Sequence, residues 1–240
     1  MFKDEMLAAA RACALELTEV QLMQFVRYEE LLLEWNEKMN LTAITEPREI
    51  AVKHMADSLS ALSGRNGELI RPGKRLLDVG TGAGFPGLPL AIFLPGLRLT
   101  LMDSLAKRVS FLETVVRELG LQEIACVHAR AEEAARRQEY REQYDVVISR
   151  AVARLPVLAE YALPFAKVGG HFLALKGAAW QEEVAEARRA VSLLGGGEME
   201  ALEVRLPGLT DRRAIIRVPK VRPTPKAYPR KAGTPAKKPL

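Results

Sequence analysis

Apolar residues recur at helical spacing along the first 62 residues of the chain, with two breaks. This period predicts helices over residues 5–17, 18–39 and 47–62. The second helix begins at a capping box, in which Thr18 and Gln21 satisfy each other's backbone N–H groups. Pro47 suits the first position of the third helix, because an N–H there would have no helical partner. The chain therefore begins with a helical extension, which we assign to residues 1–70.

From Arg75 onward, short apolar runs alternate with amphipathic stretches. The apolar runs predict seven strands, at residues 75–79, 98–103, 123–128, 144–149, 170–176, 199–206 and 213–218. The stretches between them predict helices at residues 86–94, 105–119, 131–138, 155–166 and 180–194. Such alternation is typical of a parallel α/β sheet with helices on both faces, here a domain over residues 71–218. A tight turn at residues 206–211 predicts that the last two strands pair antiparallel.

A glycine-rich loop follows the first predicted strand, and it fits two ligand-binding motifs. Gly82, Gly84 and Gly87 match the GxGxxG pattern of dinucleotide-binding folds. Asp78, Gly80, Gly82 and Gly84 instead resemble the first motif of S-adenosylmethionine-dependent methyltransferases. The carboxylate of Asp78 would repel a pyrophosphate at the helix N-terminus, but it would attract the ammonium of S-adenosylmethionine. The position of Asp78 therefore favours the methyltransferase motif.

Residues that follow the first four strands are candidates for ligand contacts, because ligands of such sheets lie beyond the carboxyl ends of the strands. Asp103 ends the second strand, where a carboxylate can accept hydrogen bonds from a ribose diol. Ala131 and Glu132 follow the third strand, although Glu132 also suits the first turn of a helix. The candidate cofactor contacts are Asp78, Gly80, Gly82, Gly84, Phe85, Asp103, Ser104, Leu105, Ala131, Glu132 and Arg150.

Composition and cysteine content narrow the class of protein. The 240 residues are 48% hydrophobic and 27% charged, which is ordinary for one domain with a full core. No apolar run reaches about 20 residues, the length of a membrane-spanning helix, so we expect no membrane partner. Acidic residues near the N-terminus argue against a signal peptide. Cys13 and Cys126 lack metal-ligand spacing, so we expect no metal and a reducing, cytoplasmic setting.

Charge is distributed unevenly along the chain, whose formal net charge is +5. Ten of the 35 Lys and Arg follow residue 211, where there is no Asp or Glu, so residues 1–211 have 25 basic and 30 acidic residues. A basic tail, residues 219–240, on an acidic body favours a polyanionic partner such as RNA. Its six prolines predict an extended path without a helix. A disordered, solubilising tail fits the composition equally well.

The residues after the fourth strand limit the chemistry of the methyl acceptor. Enzymes that methylate an exocyclic amine typically carry Asn/Asp-Pro-Pro-Tyr/Phe there, whereas this chain has Ser149-Arg150-Ala151-Val152. Methylation of pyrimidine C5 needs a cysteine nucleophile, and neither Cys13 nor Cys126 ends a strand at the predicted site. A ring nitrogen such as guanine N7 needs neither device, because its lone pair is exposed and it carries no proton. Orientation and water exclusion would then supply most of the catalysis.

Several motifs, in order across nearly the full chain, resemble one family. They are Trp35-Asn36, Asn40–Thr42, His54–Leu59, Asp78–Gly87, Asp103–Arg108, Ser149–Val152, Leu175–Gly177 and Tyr228–Gly233. The chain resembles the bacterial 16S ribosomal RNA guanine-N7 methyltransferases (RsmG, also called GidB). The resemblance implies a class I methyltransferase fold, which is a Rossmann-like seven-stranded sheet with its last strand antiparallel. It also implies S-adenosylmethionine as donor and a guanosine in the decoding-region loop of 16S ribosomal RNA as acceptor, but no catalytic base.

Several polar residues outside the glycine loop have two interpretations. His54 and Asp57 lie three positions apart on one helix face, so they either line the acceptor pocket or pin the helical extension to the domain. Arg150 suits a cofactor carboxylate and an RNA phosphate equally. The resemblance implies 16S ribosomal RNA as the partner, free or within an assembling or mature small subunit. Candidate RNA contacts are Arg154, Lys176, Arg212, Tyr228, Arg230, Lys237 and Lys238.

Two other functions remain open for a chain with this pattern. One is an NAD-dependent oxidoreductase on the same sheet, which NADH binding would reveal. The other is a non-catalytic RNA-binding module with a vestigial fold. The intact glycine loop, together with Asp103, argues against the second alternative.

Overall fold

Two helices open the computed structural model, which describes all 240 residues. They are α1, Phe2–Ala12, and α2, Glu19–Met39. The predicted capping box forms at the start of α2, where the Gln21 backbone nitrogen lies 3.2 Å from the Thr18 hydroxyl oxygen. α1 ends before the predicted residue 17, because the chain turns at Ala14, whose φ is 55°.

The next stretch, residues 47–62, changes helix type along its length instead of forming the single helix that we expected. It begins as α3, Pro47–Glu49, and widens into a π-helix at Ile50–Ala56. It continues as α4, Asp57–Leu59, and tightens into a 3₁₀ turn at Ser60–Leu62. α5, Asn66–Leu69, follows within the predicted loop. π-Helical segments often mark functional sites, and this one contains His54.

One seven-stranded sheet forms the centre of the protein. Its strands, β1 to β7, are Arg75–Val79, Arg98–Asp103, Ile124–His128, Tyr144–Arg150, Ala166–Lys176, Glu200–Val204 and Arg213–Pro219. Their order is β3-β2-β1-β4-β5-β7-β6, and β7 pairs antiparallel with β5 and β6 while the other pairs are parallel. The predicted sheet with an antiparallel last strand is therefore confirmed. Because the strand order reverses between β1 and β4, a ligand site is expected beyond their carboxyl ends.

The helices between the strands cover both faces of the sheet. They are α6, Gly87–Phe93; α7, Ala106–Glu118; α8, Ala131–Ala134; α9, Leu155–Ala162; and α10, Trp180–Leu193. Three predicted bounds were wrong by four residues. α8 ends four residues before the predicted residue 138. α9 gives way to a 3₁₀ turn at Leu163–Phe165, and β5 begins at Ala166 rather than at residue 170, because Ala166 pairs with Tyr144 of β4.

Two apolar clusters lie on opposite faces of the sheet. A cluster of 37 buried residues lies under α6 and α7, and it includes Met6 of α1 and Phe25 of α2. A cluster of 23 buried residues lies under α9 and α10. Since α1 and α2 share the larger cluster with the strands, they are packed as part of the same core; the division at residue 70 stays a prediction. No helix combines the length and the apolar character that crossing a bilayer requires.

Residues 219–240 fold back onto the domain. Lys220 is buried, and its ammonium donates a hydrogen bond to the carbonyl oxygen of Leu163 at 2.7 Å. Tyr228 is half-buried against the smaller apolar cluster. The expectation of a tail without a helix was wrong at α11, Thr234–Lys237. Pro235 stands in the first turn of α11, where its missing N–H costs nothing.

Candidate active site

The loop between β1 and α6 passes three times through the left-handed backbone region. Gly80, Gly82 and Gly84 have φ values of 69°, 61° and 99°. A Cβ atom at Gly80 would lie 2.6 Å from Val152 Cγ2, and one at Gly84 would lie 2.3 Å from Leu88 Cδ1. Glycine is therefore required at these two positions both for backbone conformation and for space.

The N-terminal extension holds this loop from one side. Tyr28 of α2 is fully buried, and its hydroxyl donates a hydrogen bond to the carbonyl oxygen of Ala83. The ring of Tyr28 also lies 5.5 Å from the ring of Phe85, measured between centroids. Sequence reasoning missed this role, because a tyrosine at a buried helical position gives no sign that its hydroxyl reaches a loop 55 residues away.

Asp78 joins the glycine loop to the start of α6. Its Oδ2 accepts hydrogen bonds from the Thr81 hydroxyl at 2.7 Å and from the Gly87 N–H at 2.8 Å. Its Oδ1 is buried and has no partner within the chain. Burial raises the pKa of Asp78 to about 7. A buried acceptor without a donor is costly, so this oxygen is suited to a donor that a ligand brings.

Asp103, at the end of β2, fixes the backbone on both sides of the predicted ribose site. Its Oδ2 accepts from the Gly82 N–H at 2.9 Å, and its Oδ1 accepts from the Leu105 N–H at 2.9 Å. The carboxylate is 3% exposed. Each carboxylate oxygen can accept a second hydrogen bond, so Asp103 retains capacity for hydroxyl donors.

A cavity of 260 Å³ opens beyond the ends of β1, β2 and β3. Five of the predicted cofactor contacts line it: Gly80, Asp103, Ser104, Ala131 and Glu132. The lining residues that sequence reasoning missed include Val152, Tyr161, Gly233 and Ala236. The rule that functional residues follow strand ends could have identified Val152, but it contains no information about a tail more than 100 residues away. We call this the strand-end cavity.

A second cavity, of 440 Å³, lies on the other side of the segment that follows β4. Its lining includes His54, Asp57, Arg150, Lys176 and Arg213. We call it the cationic cavity. Arg150 and Ala151 line this cavity, whereas Val152 lines the strand-end cavity, so the two are neighbours along the chain.

Asp57 bridges two guanidinium groups in the cationic cavity. Its Oδ2 accepts from Arg150 Nη1 at 2.8 Å, and its Oδ1 accepts from Arg213 Nη1 at 3.1 Å. Arg150 also donates to the carbonyl oxygen of Lys53 in the π-helix at 3.0 Å, and its guanidinium lies 4.9 Å from the centre of the Phe85 ring. Two positive groups thus share one buried carboxylate, which leaves net positive charge at this cavity.

His54 connects the cationic cavity to the glycine loop. Its ring stacks on Phe85 with 4.5 Å between centroids. Its Nε2 lies 2.8 Å from the Thr42 hydroxyl oxygen, and its Nδ1 lies 3.3 Å from Arg150 Nη2. Burial, assisted by the charge of Arg150, lowers the pKa of His54 to about 4. The imidazole is therefore neutral near pH 7, with Nδ1 as acceptor for Arg150 and Nε2 as donor to Thr42.

Besides Asp78, five predicted cofactor contacts do not line the strand-end cavity. The N–H of Gly82 donates to Asp103, which lines the cavity, but Gly82 itself does not line it. Gly84 packs against Leu88, and Leu105 is half exposed. Phe85 and Arg150 lie toward the cationic cavity instead. The guanidinium of Arg150 lies there because the carboxylate of Asp57 accepts a hydrogen bond from it.

The candidate RNA contacts differ widely in their surroundings. Lys176 is buried, and its ammonium lies 2.6 Å from Glu183. Arg230 pairs with the buried carboxylate of Glu160 at 2.7 Å. Tyr228 is half-buried, so little of its ring is available to a base. Exposed side chains remain at Arg154, Arg212, Lys237 and Lys238, of which the two arginines form exposed ion pairs with Glu186 and Glu203.

Sequence comparison gives matches along most of the chain. The family model described as rRNA small subunit methyltransferase G (GidB) matches residues 21–210. A ribosomal RNA small subunit methyltransferase G from Desulfitobacterium hafniense is 55% identical over 226 residues, which cover 94% of this chain and 92% of the relative. One from an Exiguobacterium species is 52% identical over 240 residues and covers 100% of both chains.

Solved structures are similar to this chain in fold. A SAM dependent methyltransferase from Aquifex aeolicus has a TM-score of 0.54 and 16% identity, covering 75% of this chain and 96% of that one. A putative O-methyltransferase from Klebsiella pneumoniae has a TM-score of 0.53 and 17% identity, covering 80% and 90%. The likeness confirms the predicted class I methyltransferase fold.

The family match and the fold together confirm the predicted enzyme class and S-adenosylmethionine as the cofactor. The residues present fit that molecule. The unpartnered Oδ1 of Asp78 suits its ammonium, and the carboxylate of Asp103 suits its ribose hydroxyls. The strand-end cavity lies beside Ala131 and Glu132, between these strand ends.

Proposed function

The chain belongs to the rRNA small subunit methyltransferase G family, and we propose that it methylates N7 of a specific guanosine in the decoding-region loop of 16S ribosomal RNA. The ring nitrogen would attack the methyl carbon directly and in line, so that the carbon–nitrogen bond forms while the carbon–sulfur bond breaks and S-adenosylhomocysteine leaves, without a covalent enzyme intermediate. The observation that carries this proposal is the adjacency of the strand-end cavity and the cationic cavity on either side of residues 150–152. One cavity suits the donor, and the other suits an anionic acceptor.

The donor side depends on groups that are fixed before any ligand binds. S-adenosylmethionine, when bound, supplies a methyl group on a positively charged sulfur. Asp78 and Asp103 are held in orientation by hydrogen bonds from the loop backbone. The entropy cost of ordering these two side chains when the ligand binds is therefore small. The left-handed turns at Gly80 and Gly84 permit close approach of the backbone to the ligand.

The acceptor side has the charge that a nucleotide needs. Arg150 and Arg213 can contact phosphate or the guanine O6, because guanidinium groups bind both as paired donors. Asp57 holds both arginines in place and remains an acceptor near the ring that becomes cationic on methylation. His54 and Asp57 are thus our candidates for the acceptor pocket, with roles in positioning.

Methylation of a ring nitrogen needs neither a general base nor a cysteine nucleophile, and this site provides neither. N7 carries no proton, so no general base is needed. His54 is neutral near pH 7 but is engaged with both Thr42 and Arg150, which suits positioning better than proton transfer. Neither cysteine lines either cavity, so the covalent route to pyrimidine C5 has no nucleophile here.

The donor methyl is expected beside the glycine loop at the sheet edge, which a base stacked within an RNA helix does not reach. We therefore propose a flipped guanosine in the cationic cavity. Lys237, Lys238, Arg154 and Arg212 are exposed around the body and are candidates for contacts with flanking phosphates, whose contribution is salt-dependent.

A methyl-transfer assay tests this proposal in vitro. The protein is incubated with methyl-labelled S-adenosylmethionine and, separately, a 16S ribosomal RNA transcript, assembling particles and mature small subunits. The labelled nucleoside is then identified after complete digestion. We expect N7-methylguanosine from at least one substrate; label in another nucleoside would contradict the N7 assignment. NADH fluorescence in the same preparation tests the oxidoreductase alternative, for which we expect no binding.

A further inference from the structure

The C-terminal segment forms part of the strand-end cavity. Gly233 and Ala236 line this cavity together with Gly80, Asp103 and Glu132, although they follow those residues by about 100 positions or more in sequence. The other lining residues come from strand ends and from α9. We call residues 230–238 the C-terminal wall.

The wall is attached directly to a predicted cofactor contact. The backbone N–H of Gly233 donates to Glu132 Oε1 at 2.9 Å, and Glu132 is 7% exposed. The hydrogen bonds within the chain engage Oε1 of Glu132, which leaves Oε2 for a ligand donor. Gly233 has a φ of 79°, and glycine accommodates this turn without strain.

A buried ion pair fixes the start of the wall. Glu160 of α9 has no exposed surface, and its Oε2 accepts from Arg230 Nη2 at 2.7 Å. Its Oε1 accepts from the backbone nitrogen of Arg230, also at 2.7 Å. A fully buried carboxylate is costly without a charged partner, so this pair holds Arg230 to the body.

Further contacts fix the segment that leads to the wall. Arg141 donates to the carbonyl oxygens of Thr224 at 2.7 Å and Tyr228 at 3.0 Å. Pro235 is buried, and α11 packs against α9. The wall is therefore positioned by side chains of the domain, independently of any RNA.

We propose that the C-terminal wall is a part of the cofactor site. Gly233 and Ala236 complete the side of the cavity on which Ala131 and Glu132 lie. A cavity with this wall excludes more water and buries more of a nucleoside than one without it. The basic tail thus has a binding role toward S-adenosylmethionine that is separate from its charge. This inference rests on the cofactor alone and goes beyond the proposed RNA acceptor.

Filling the cavity from the wall tests the inference directly. Ala236→Trp adds an indole at the lining, while Ala227→Trp makes the same change at an exposed position that lines neither cavity and serves as the matched control. Binding of S-adenosylhomocysteine is measured by calorimetry without RNA, and folding is checked by thermal unfolding. We expect Ala236→Trp to weaken binding by about tenfold or more and Ala227→Trp by less than about twofold. Equal affinities for the two variants would overturn the proposal.

A deletion variant tests the same proposal without depending on where the indole of Ala236→Trp points. Removal of residues 233–240 leaves Arg230 with Glu160 but takes away both lining residues. We expect the shortened chain to keep its fold and to lose about tenfold in affinity for S-adenosylhomocysteine. A folded, shortened chain that binds as tightly as the full chain would also overturn the proposal.

Proteolysis gives a readout that does not depend on affinity. Lys231 and Lys237 are exposed trypsin sites within the wall. If the wall contacts the ligand, S-adenosylhomocysteine should slow cleavage at both sites by about fivefold, because cleavage requires local opening. Cleavage at the same rate with and without the ligand would contradict the proposal. A chain that passes these tests but methylates no guanosine would refute the proposed acceptor and leave the wall intact.

Discussion

The strand-end cavity and the cationic cavity are neighbours, but they are built in different ways. The first is lined mainly by backbone and short side chains that follow consecutive strands, with Gly80 and Asp103 at its centre. The second is lined by long charged side chains from a π-helix and from β4 and β7, which meet at Asp57. The donor site thus follows from the topology of the fold, whereas the acceptor site depends on side-chain pairing between distant segments. This difference predicts which changes each cavity tolerates.

The largest expected effect comes from the glycine loop. Gly84→Ala puts a Cβ at positive φ and within 2.3 Å of Leu88, so the free energy of unfolding should fall. We expect a loss of about 3 kcal/mol, measured by urea denaturation. Gly82→Ala is the matched control, because its φ is also positive but its Cβ has open space; it should cost about 1 kcal/mol. Equal costs would mean that the close packing of Gly84 is unimportant.

A smaller loss of stability is expected in the cationic cavity. Asp57→Asn leaves Arg150 and Arg213 without their shared carboxylate, and the free energy of unfolding should fall by about 2 kcal/mol. Asp211→Asn, at an exposed position, should change it by less than about 0.5 kcal/mol. Calorimetry with S-adenosylhomocysteine should show that Asp57→Asn keeps the affinity for the donor side within about twofold. A large loss of cofactor affinity would show that the two cavities are not separable.

The two cavities should also differ in their dependence on pH. The pKa of Asp78 is raised to about 7, so a ligand ammonium meets a charged carboxylate only above that pH. Affinity for S-adenosylhomocysteine should fall about tenfold between pH 8 and pH 6, and Asp78→Asn should bind weakly without this dependence. The same shift has a consequence for stability. Because the folded state holds the proton more tightly, the contribution of Asp78 is present below its unfolded pKa of 3.8 and is lost as pH rises through about 7.

In the folded protein, His54 on the acceptor side should stay neutral between pH 8 and pH 6. The pKa of His54 is lowered to about 4, so its neutral form contributes stability above the unfolded value of 6.5, and that contribution is lost as pH falls toward 4. His54→Gln should therefore reduce the acid sensitivity of the free energy of unfolding between pH 6.5 and pH 4. A pH dependence of the same size in the variant would contradict burial as the cause of the shift.

The smallest expected effect is at the exposed end of the tail. Changing Lys237 and Lys238 together to Ala should weaken binding of 16S ribosomal RNA and lower the slope of log affinity against log salt by about 1.4, if each lysine contacts one phosphate. Affinity for S-adenosylhomocysteine should stay the same, in contrast to Ala236→Trp. RNA affinity that is unchanged at all salt concentrations would remove these lysines from the RNA interface.

Five residues that line the strand-end cavity were predictable from sequence because they follow strand ends. Asp103 and Glu132 could be assigned by position alone, since parallel strands end at one edge of the sheet. Tyr28 and Gly233 could not be found in this way, because a hydroxyl and an N–H reach the site across long stretches of chain. The position of the Arg150 guanidinium could not be predicted either, because it depends on hydrogen bonds to Asp57 and to the Lys53 carbonyl oxygen in the π-helix.

The central claim is that this chain methylates one guanosine of 16S ribosomal RNA at N7. Chemical strand scission at N7-methylguanosine tests it in RNA from cells with the unchanged chain, cells without it and cells with Asp103→Ala. We predict scission at one guanosine in the decoding-region loop with the unchanged chain, none without the chain, and much less with the variant. The same scission in cells that lack the chain would contradict the claim.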